Sequence, residues 1–341
     1  MHVNVVLLFG GTGEEYEISL RSAAAVLLAF PYGYTVFPVG IDRAGGWYLT
    51  DASPEAIAQD AWQEGARPIL LDPVGGALLV DGEAIPADAV LPILHGGFFE
   101  GGGAAAACRL LSLPCVGCPP LAGALALDKV MAKRLAASEG IAVARYQTVR
   151  RADLSDPTLP ARLTEALGLP LFCKPASGGS SVGASLVSTR EEIPAALEAA
   201  LSVDSRALCE EYIEGTEVEL ALLEDGDRLL GHEVGEIDTH AAFYDYHAKY
   251  RDRTSRVFIP ARVSSASRAA VRAAGRTLFY LLGCRGLARV DFFVRPTGEI
   301  VFNEINTMPG FTDISMFPML LRPLGLTLGD VVEILVKNAI L

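Results

Sequence analysis

The chain opens with an apolar segment, Val3–Phe9, that leads through a glycine turn into a helical segment, Ile18–Phe30. Two further apolar segments, Tyr34–Ile41 and Ala89–Leu94, have the length and composition of buried strands. Apolar strands that alternate with helices are typical of a parallel sheet with helices on both faces. Residues 1–120 are therefore predicted to form an α/β domain.

At 341 residues the chain is longer than one typical hydrophobic core requires, so two or three domains are expected. A second, smaller domain is predicted for residues 121–213. Its predicted elements, in order, are a helix at Leu127–Ala137, strands at Ala144–Val149 and Pro170–Pro175, a helix at Glu191–Leu201 and a strand at Ala207–Ile213.

Residues 214–341 are predicted to form a third domain of mixed type. An antiparallel hairpin joins Val218–Leu223 to Arg228–Ile237 through Asp225-Gly226. The remaining predicted elements are a helix at Ser264–Leu282, strands at Leu287–Val294 and Ile300–Ile305, and a last helix at 328–338.

Composition excludes several classes of protein. The net charge of −13 is unlike that of a nucleic-acid binder. No apolar run reaches the roughly 18–20 residues that a membrane span needs, and the N-terminus lacks the basic region of a signal peptide. The six cysteines lie in apolar stretches and are expected to be reduced and buried, and the Cys115/Cys118 spacing has no partner pair for zinc.

The first chemical motif is Gly10-Gly11-Thr12-Gly13, followed by acidic residues at 14, 15 and 17. Glycines at a strand-to-helix turn let backbone N–H groups approach a ligand, although a plain tight turn has the same composition. Acids at a helix start are explained equally by the helix dipole and by a carboxylate that holds a substrate ammonium.

The second motif is Lys174, which leaves an apolar strand and enters a loop rich in glycine and serine, Ala176–Gly183. A lysine beside such a loop can clamp nucleotide phosphates, because backbone N–H groups surround the oxygens. An ordinary surface loop is the alternative, but a lysine in an apolar strand needs a partner for its charge.

The third motif lies on two neighbouring strands. Strand alternation puts Arg289 and Asp291 on one face, and Glu304 and Asn306 on one face. If the strands pair, two carboxylates and an amide converge into a set of oxygen ligands suited to Mg²⁺. The alternative is a salt bridge from Arg289 to a neighbouring carboxylate on a solvated face.

Three weaker signals complete the pattern. The long segment 238–259, with Tyr244–Tyr250 inside it, is predicted to act as a lid that excludes water. The segment Cys209–Glu217 could border an adenine and a ribose, and Lys129 at a helix start could be a second phosphate contact. Each could also be ordinary surface sequence.

Together these residues resemble the D-alanine–D-alanine ligases of the ATP-grasp superfamily. The matching segments are GGTGEEYEISLRSA (10–23), LHGGFFEGGG (94–103), LPCVGCPPLAGALALDK (113–129), KPASGGSSVGAS (174–185), YDYHAKY (244–250), ARVDFF (288–293) and NEINTMPGFT (303–312). Each segment is modestly specific alone, but their joint order and spacing are very specific.

The resemblance implies an α/β protein with an α+β C-terminal part, in which an ATP-grasp unit follows an N-terminal parallel-sheet (pre-ATP-grasp) domain. Residues 1–120 would be the substrate domain, 121–213 the central ATP-grasp subdomain and 214–341 the catalytic domain. The implied reaction joins two D-alanines through an acyl phosphate, for peptidoglycan precursors. ATP and Mg²⁺ (two ions, with Mn²⁺ as an alternative), a cytoplasmic location and a homodimer without nucleic-acid or membrane partners are implied as well.

The resemblance also implies a role for individual residues. The reacting groups and their supports would be Glu15, Ser180, Tyr250, Arg289 and the N–H of Gly310. The nucleotide would be bound by Lys129, Lys174, Ser181, Glu210, Glu211, Ile213, Glu217 and Lys249. The metal ligands would be Asp291, Glu304 and Asn306, and the substrate side would include His95, Glu100, Ser315 and Met316.

The sequence departs from the family pattern at several positions. Gly13 replaces a usual Ser, Tyr16 replaces a His or Arg, and Phe99 and Gly101 replace a Gly and an Asp. These changes concern the substrate pocket more than the ATP site. A D-alanine–D-serine ligase, a non-catalytic nucleotide-binding protein and a ligase for other carboxylates are therefore kept as alternatives.

Overall fold

The computed structural model describes residues 2–179, 182–238 and 256–341. Its N-terminal sheet has the strand order β6-β5-β4-β3-β2-β1-β7. The strands are β1 Val3–Gly10, β2 Tyr34–Ile41, β3 Trp47–Leu49, β4 Arg67–Asp72, β5 Ala77–Val80, β6 Glu83–Ala84 and β7 Ala89–Ile93. The associated helices are α1 Tyr16–Ala29, α2 Pro54–Ala58 and α3 Ala104–Leu110, with a π-helical segment at Phe99–Gly103.

The predicted parallel sheet is confirmed at one end of the observed sheet, in strands β2, β1 and β7. Strand β1 pairs in parallel with β2 on one side and with β7 on the other. Strands β2 to β6 continue the sheet as an antiparallel edge that the sequence analysis did not predict. These edge strands are short and only partly buried, so their apolar residues form no long run.

The second sheet is antiparallel, with the order β10-β9-β11-β8. Its strands are β8 Tyr146–Arg150, β9 Leu171–Pro175, β10 Ser185–Val187 and β11 Arg206–Glu211. Between them lie helices α6 Leu159–Leu167 and α7 Ile193–Val203 and short 3-10 turns at Arg151–Ser155 and Arg190–Glu192. The leucines of α6 and α7 pack with Cys173 and Cys209 in a core of their own.

The third sheet has the order β15-β14-β12-β16-β17, and β13 pairs with the far end of β12. Its strands are β12 Thr216–Asp225, β13 Arg228–Leu230, β14 Val234–Asp238, β15 Arg256–Phe258, β16 Leu287–Val294 and β17 Ile300–Asn306. The accompanying helices are α8 Ser265–Leu281, α9 Met316–Leu321 and α10 Leu328–Ile340, with a 3-10 turn at Arg322–Leu324. The predicted hairpin is interrupted at Gly231, where the second strand divides into β13 and β14.

Two consecutive helices, α4 Pro120–Leu127 and α5 Lys129–Ser138, connect the first two sheets in sequence but pack on the third. Ala132 and Ala136 of α5 share a buried cluster with Phe302 of β17. Asp128 separates the helices and caps α5 by accepting hydrogen bonds from the N–H groups of Val130 and Met131, both at 3.1 Å. The capped first turn of α5 therefore faces the space between the second and third sheets.

One hydrophobic core joins the two ends of the chain. Leu7 of β1 and Leu91 of β7 share a buried cluster with Phe317 of α9 and with Val332 and Leu335 of α10. Across the described residues, no helix is both long enough and apolar enough to span a membrane. The shared core fixes the N-terminal sheet against the C-terminal helices.

Candidate active site

A cleft of about 460 Å³ lies between the second and third sheets. This volume is in the usual range for small-molecule sites. Sequence-predicted residues that line it are Lys129, Lys174, Glu210, Glu211, Ile213, Glu217, Asp291 and Glu304. The central expectation from sequence, that cationic, glycine-rich and acidic segments meet around one space, is confirmed.

Two lysines from different elements, Lys129 at the start of α5 and Lys174 on β9, line this space. The Lys129 ammonium donates to the carbonyl of Gly178 at 2.6 Å and lies 3.3 Å from a carboxylate oxygen of Glu304. The Lys174 ammonium forms an ion pair with Glu210 and donates to Asn303 Oδ1 at 3.4 Å. Both cations border the glycine-rich loop, where phosphate oxygens would meet ammonium groups and backbone N–H groups together.

A third lysine, Lys133, belongs to the same cleft and was missed by sequence reasoning. Its ammonium lies 3.1 Å from Glu210 Oε2 and donates to the carbonyl of Phe302 at 3.4 Å. Burial lowers its pKa below the ordinary lysine value, and the neighbouring Glu210 opposes that shift. The available signal was its position four residues after Lys129, on the same face of α5.

The inner end of the cleft is apolar. Ala144, Ile213 and Val301 form a small buried cluster, against which Phe293 packs. Glu210 also lines the cleft. Burial alone would raise the pKa of Glu210, but Lys133 and Lys174 lower this pKa to about 2. An apolar slot beside hydrogen-bonding groups is suited to a planar base, as the sequence predicted for this segment.

The strand pairing required by the predicted metal site is present. Strands β16 and β17 are antiparallel, with Asp291 opposite Glu304 and Arg289 opposite Asn306. Asn306 Nδ2 donates to Asp291 Oδ2 at 3.1 Å. Two carboxylates and one amide therefore converge at the edge of the cleft, a set of oxygen donors that fits Mg²⁺ and leaves further positions for substrate oxygens.

Arg289 lies buried among carboxylates. Its guanidinium binds Asp291 through two hydrogen bonds, of 2.8 and 2.7 Å, and lies 2.9 Å from Glu219 on β12. Burial alone would lower the pKa of Arg289, but Asp291 and Glu219 raise it well above its ordinary value. The salt bridge considered from sequence exists, but on a buried surface and not on a solvated one.

Glu15 lies between two glycines, one of which, Gly179, lines the cleft. A Cβ atom at Gly96 or at Gly179 would overlap the Glu15 carboxylate. Gly96 follows β7 in the first sheet, whereas Gly179 belongs to the glycine-rich loop of the second. The carboxylate at the start of α1 is thus in contact with the loop that borders the cleft.

Glu100 links the N-terminal domain to the end of β17. It accepts hydrogen bonds from the N–H groups of Gly96 at 2.6 Å, Thr307 at 3.0 Å and Met308 at 3.1 Å. Burial, followed by the charge of Glu15, raises the pKa of Glu100 to about 7. Glu100 therefore fixes the residues that directly follow Asn306.

His95 supports the same connection. Its Nδ1 lies 2.7 Å from the carbonyl of Met308 and its Nε2 lies 2.9 Å from the Ser22 hydroxyl. Because a carbonyl only accepts hydrogen bonds, the Nδ1 atom must carry a proton. His95 is buried and reaches Met308 through this bond.

Comparison with known proteins agrees with this geometry. The protein-family model for the D-ala D-ala ligase N-terminus matches residues 4–118 of this chain. The family model for the D-ala D-ala ligase C-terminus matches residues 135–337. The D-alanine–D-alanine ligase of Chlorobium luteolum is 40% identical over 99% of this chain and 97% of its own. The enzyme of the same name from Treponema pallidum is 38% identical over 99% and 88%.

The chain belongs to the D-alanine–D-alanine ligase family.

Solved structures of the family confirm the fold. The VanG D-Ala:D-Ser ligase from Enterococcus faecalis has a TM-score of 0.89 and 34% identity, covering 99% of this chain and 100% of its own. The D-alanine–D-alanine ligase from Coxiella burnetii has a TM-score of 0.86 and 30% identity, covering 99% and 94%. This D-alanine–D-alanine ligase family member is thus an ATP-grasp enzyme with an N-terminal α/β domain.

Phe99 and Gly101, two of the positions that depart from the family pattern, have well-defined surroundings in the structure. Phe99 packs edge-on against Trp47 and Phe98, with ring centroids 6.3 and 5.3 Å apart. A Cβ atom at Gly101 would lie 2.8 Å from a terminal methyl group of Leu127, at the end of α4, so an aspartate there would require the Leu127 side chain to shift. Glu100 keeps its contacts between these two changes.

Tyr16 is part of the core. Its hydroxyl donates to Asp60 at 2.8 Å and accepts from Trp62 at 3.0 Å, and burial raises its pKa to about 12. The substitution at position 16 therefore places no titratable charge beside Glu15 at neutral pH.

The expected second-substrate residues lie on the loop after β17 and at the start of α9. Ser315 Oγ accepts from the N–H of Thr312 at 3.1 Å and lies close to Gly310. Met316 is buried in the core shared by the two ends of the chain, with its sulfur next to Gly235. The predicted roles of Ser180, Ser181, Lys249 and Tyr250 fall on positions outside the described residues.

Proposed function

We propose that this protein joins two D-alanines to D-alanyl-D-alanine, with ATP converted to ADP and phosphate, for peptidoglycan precursor synthesis. The observation that carries the proposal is the cleft in which Lys129 and Lys174 share one space with Asp291 and Glu304. The full-length relatives that carry the name D-alanine–D-alanine ligase support the same assignment.

The first chemical step is activation of a carboxylate. Oxygen is a poor leaving group from a carboxylate, so the ATP γ-phosphoryl group is transferred to it and an acyl phosphate forms. In the proposed arrangement Lys129 and Lys174 hold the nucleotide phosphates. When bound at Asp291, Glu304 and Asn306, Mg²⁺ ions would supply charge neutralisation of the phosphate oxygens.

The second step is attack by the amine of the other D-alanine on the acyl carbon. A C–N bond forms, the C–O bond to phosphate breaks, and the amine loses a proton. Negative charge builds on the carbonyl oxygen of the tetrahedral intermediate and needs fixed hydrogen-bond donors. Arg289, held rigidly by Asp291 and Glu219, and the Gly310 N–H are proposed to provide them.

Substrate recognition is proposed to rest on Glu15. A carboxylate confined between Gly96 and Gly179 can bind the ammonium of the first D-alanine only in a narrow range of positions. Ser180 and Tyr250 are proposed to connect Glu15 to the lid. Glu100 and His95 are proposed to hold the backbone at Met308, beside the second substrate.

D-serine is the second candidate for the acceptor, because the VanG neighbour is a D-Ala:D-Ser ligase. Incubation with ATP, Mg²⁺ and equal amounts of D-alanine, D-serine and D-lactate, followed by mass spectrometry of the products, separates these possibilities. D-alanyl-D-alanine is the expected main product. A main product of D-alanyl-D-serine would transfer the assignment to the second candidate.

Phosphate release tests the class of activity. Release with ATP, Mg²⁺ and D-alanine should exceed the release without amino acid, and L-alanine should not substitute. Nucleotide binding without any amino-acid-dependent release would indicate a non-catalytic ATP-binding protein. Preference for L-amino acids would end the assignment to D-amino acids.

A further inference from the structure

Lys133 is a buried cation whose role the proposed chemistry leaves open. Its side chain is 1% exposed, compared with 13% for Lys174 and 11% for Lys129. It is nevertheless one of the residues that line the cleft. A lysine is almost never buried to this extent unless it is paired.

The partner of Lys133 is Glu210, which is shared with Lys174. Glu210 Oε2 lies 3.1 Å from the Lys133 ammonium, and Glu210 Oε1 is paired with Lys174. Each carboxylate oxygen thus has its own ammonium. Glu210 is itself only 5% exposed, so little water is available to replace a lost partner.

Lys133 also contacts the third sheet. Its ammonium donates to the carbonyl of Phe302, and Phe302 lies one residue before Asn303, the second hydrogen-bond partner of Lys174. Lys133 is part of α5 and contacts β17, so it connects Glu210 to both elements. Lys174, in contrast, pairs with Glu210 from the neighbouring strand β9.

Lys174 has two competing anionic partners if it is to hold a nucleotide phosphate. One is the phosphate, and the other is the buried carboxylate of Glu210. Leaving a buried carboxylate without any cation is strongly unfavourable. If Lys133 were absent, Glu210 would retain Lys174, and the phosphate would have to compete for it.

We propose that Lys133 is a positioning residue that supplies Glu210 with a second cation and thereby frees Lys174 to turn towards the nucleotide phosphates. This inference rests on the proposed function, because it assumes that Lys174 binds phosphate. Lys133 acts through Glu210 and Lys174 and does not touch the nucleotide phosphates.

The first test is direct titration of the protein with ADP and Mg²⁺ in the absence of D-alanine, by calorimetry. Lys133→Met should weaken binding by about tenfold or more, because one partner of a buried pair is lost. Lys133→Arg should restore most of the affinity by returning a cation. Arg134→Met, an exposed neighbour on the same helix, is the matched control and should bind as the wild type does.

The second test is a double variant. Lys133→Met/Glu210→Gln has no buried carboxylate to retain Lys174, so its ADP affinity should match that of Glu210→Gln alone, within about threefold. A double variant that binds ADP clearly more weakly than Glu210→Gln alone would show that Lys133 does not act through Glu210. The double variant removes both buried charges, and it decides the question if Lys133→Met alone does not fold.

Steady-state kinetics distinguish this inference from the proposed function. Lys133→Met should raise KM for ATP while KM for D-alanine stays unchanged. If the wild-type protein binds no nucleotide, the proposed function itself is wrong. If the wild type binds and turns over ATP but Lys133→Met matches it in both assays, only the role of Lys133 is wrong.

Discussion

At the scale of single residues, the cleft is lined by ion pairs whose two partners belong to different helices or strands. Lys129 of α5 pairs with Glu304 of β17, and Lys174 of β9 pairs with Glu210 of β11. Glu210 and Glu304, two of the carboxylates predicted from sequence, therefore each have a lysine ammonium beside them. Removing one charge consequently affects both the ligand and the partner left behind.

Lys174→Ala should reduce the rate of D-alanine-dependent phosphate release by at least about a hundredfold, since a preorganised charge at the phosphoryl group is lost. The protein should remain folded, because Glu210 keeps its contact with Lys133. Phosphate release and circular dichroism measure the two effects. A near-normal rate would show that the phosphate assignment is wrong.

Glu304→Gln should have a comparable effect on turnover for a different reason. The amide keeps the shape of the side chain but removes one negative charge from the predicted metal site. The loss of rate should be accompanied by a higher Mg²⁺ concentration at half-maximal activity. An unchanged Mg²⁺ dependence would exclude Glu304 as a ligand.

The proximity of Glu15 to Glu100 leads us to expect that the free energy of unfolding depends on pH. The pKa of Glu100 is raised to about 7 in the folded protein, from an ordinary value of 4.5. Folding therefore favours the protonated form of Glu100, and its contribution to the free energy of unfolding is fully present below pH 4.5. This contribution is lost as the pH rises through 7. Glu15→Gln removes the charge that contributes to the raised pKa, so this loss should become smaller.

Urea unfolding of the wild type and of Glu15→Gln at about pH 5 and about pH 7.5 measures the difference. Glu14→Gln changes the same charge at an exposed neighbouring position and is the matched control. If Glu15→Gln and Glu14→Gln lose equal stability between the two pH values, the coupling of Glu15 to Glu100 is contradicted.

Most of the cleft residues could be predicted from residue types, because lysine at a glycine-rich loop and acids on alternating strand positions have few structural explanations. Lys133 could not be separated from a surface lysine, since its burial depends on how α5 packs against β17. The contacts of Glu100 with Thr307 and Met308 join positions about two hundred residues apart, and no local pattern reveals them.

At the scale of elements, the site is assembled by loops that approach one another at glycines. Gly96 and Gly179 leave room for Glu15, and a side chain at Gly123 of α4 would meet the backbone of Glu100 and Gly102. Glycine is needed at Gly96 also because its φ of +65° lies in the left-handed region. The geometry of the substrate end is thus determined by backbone contacts between loops.

Gly179→Ala should displace the Glu15 carboxylate and raise KM for D-alanine by about tenfold, because a misplaced charge contact is worth about 1 kcal/mol or more. Gly13→Ser is the matched control. A Cβ atom at Gly13 meets only the carbonyl of His95, at 3.8 Å, so this variant should change KM for D-alanine less than Gly179→Ala does. Equal KM values for the two variants would contradict the predicted role of Glu15.

The elements that sequence patterns predicted were those with a clear apolar period. Strands Tyr34–Ile41 and Leu287–Val294 were predicted at their observed bounds. Helix α4 was missed because its sequence is apolar on all sides and shows no helical period. Strands β3 to β6 are short, and their pairing depends on the sheet edge provided by β2.

At the scale of the whole molecule, the nucleotide cleft is bounded by two sheets with separate cores. The Phe302 N–H donates to the carbonyl of Ala142, in the segment that leads into β8, at 2.8 Å. The ion pair of Lys133 with Glu210 connects α5, which packs on the third sheet, to β11 of the second. A ligand that contacts both sheets should therefore stabilise the folded protein as a whole.

Saturating ADP with Mg²⁺ should raise the melting temperature, since a ligand at a hundred times its Kd adds about 2.7 kcal/mol to stability. Mg²⁺ alone should produce a much smaller shift, because two carboxylates and an amide bind it weakly without phosphate oxygens. Differential scanning fluorimetry measures both. Equal shifts for Mg²⁺ alone and for ADP with Mg²⁺ would contradict a nucleotide site in the cleft.

Lys129, Lys133 and Lys174, the cleft lysines in the described part of the chain, are each paired with a carboxylate, and this pairing affects the energetics of nucleotide binding. The polyphosphate enters a space in which these lysines already have carboxylate partners, so it displaces those partners and gains little from long-range attraction. Its affinity should therefore depend only weakly on ionic strength, unlike that of a site with solvent-exposed cations. Such a site selects its ligand by how well the phosphate oxygens fit the positions that the carboxylates leave, and not by its total positive charge.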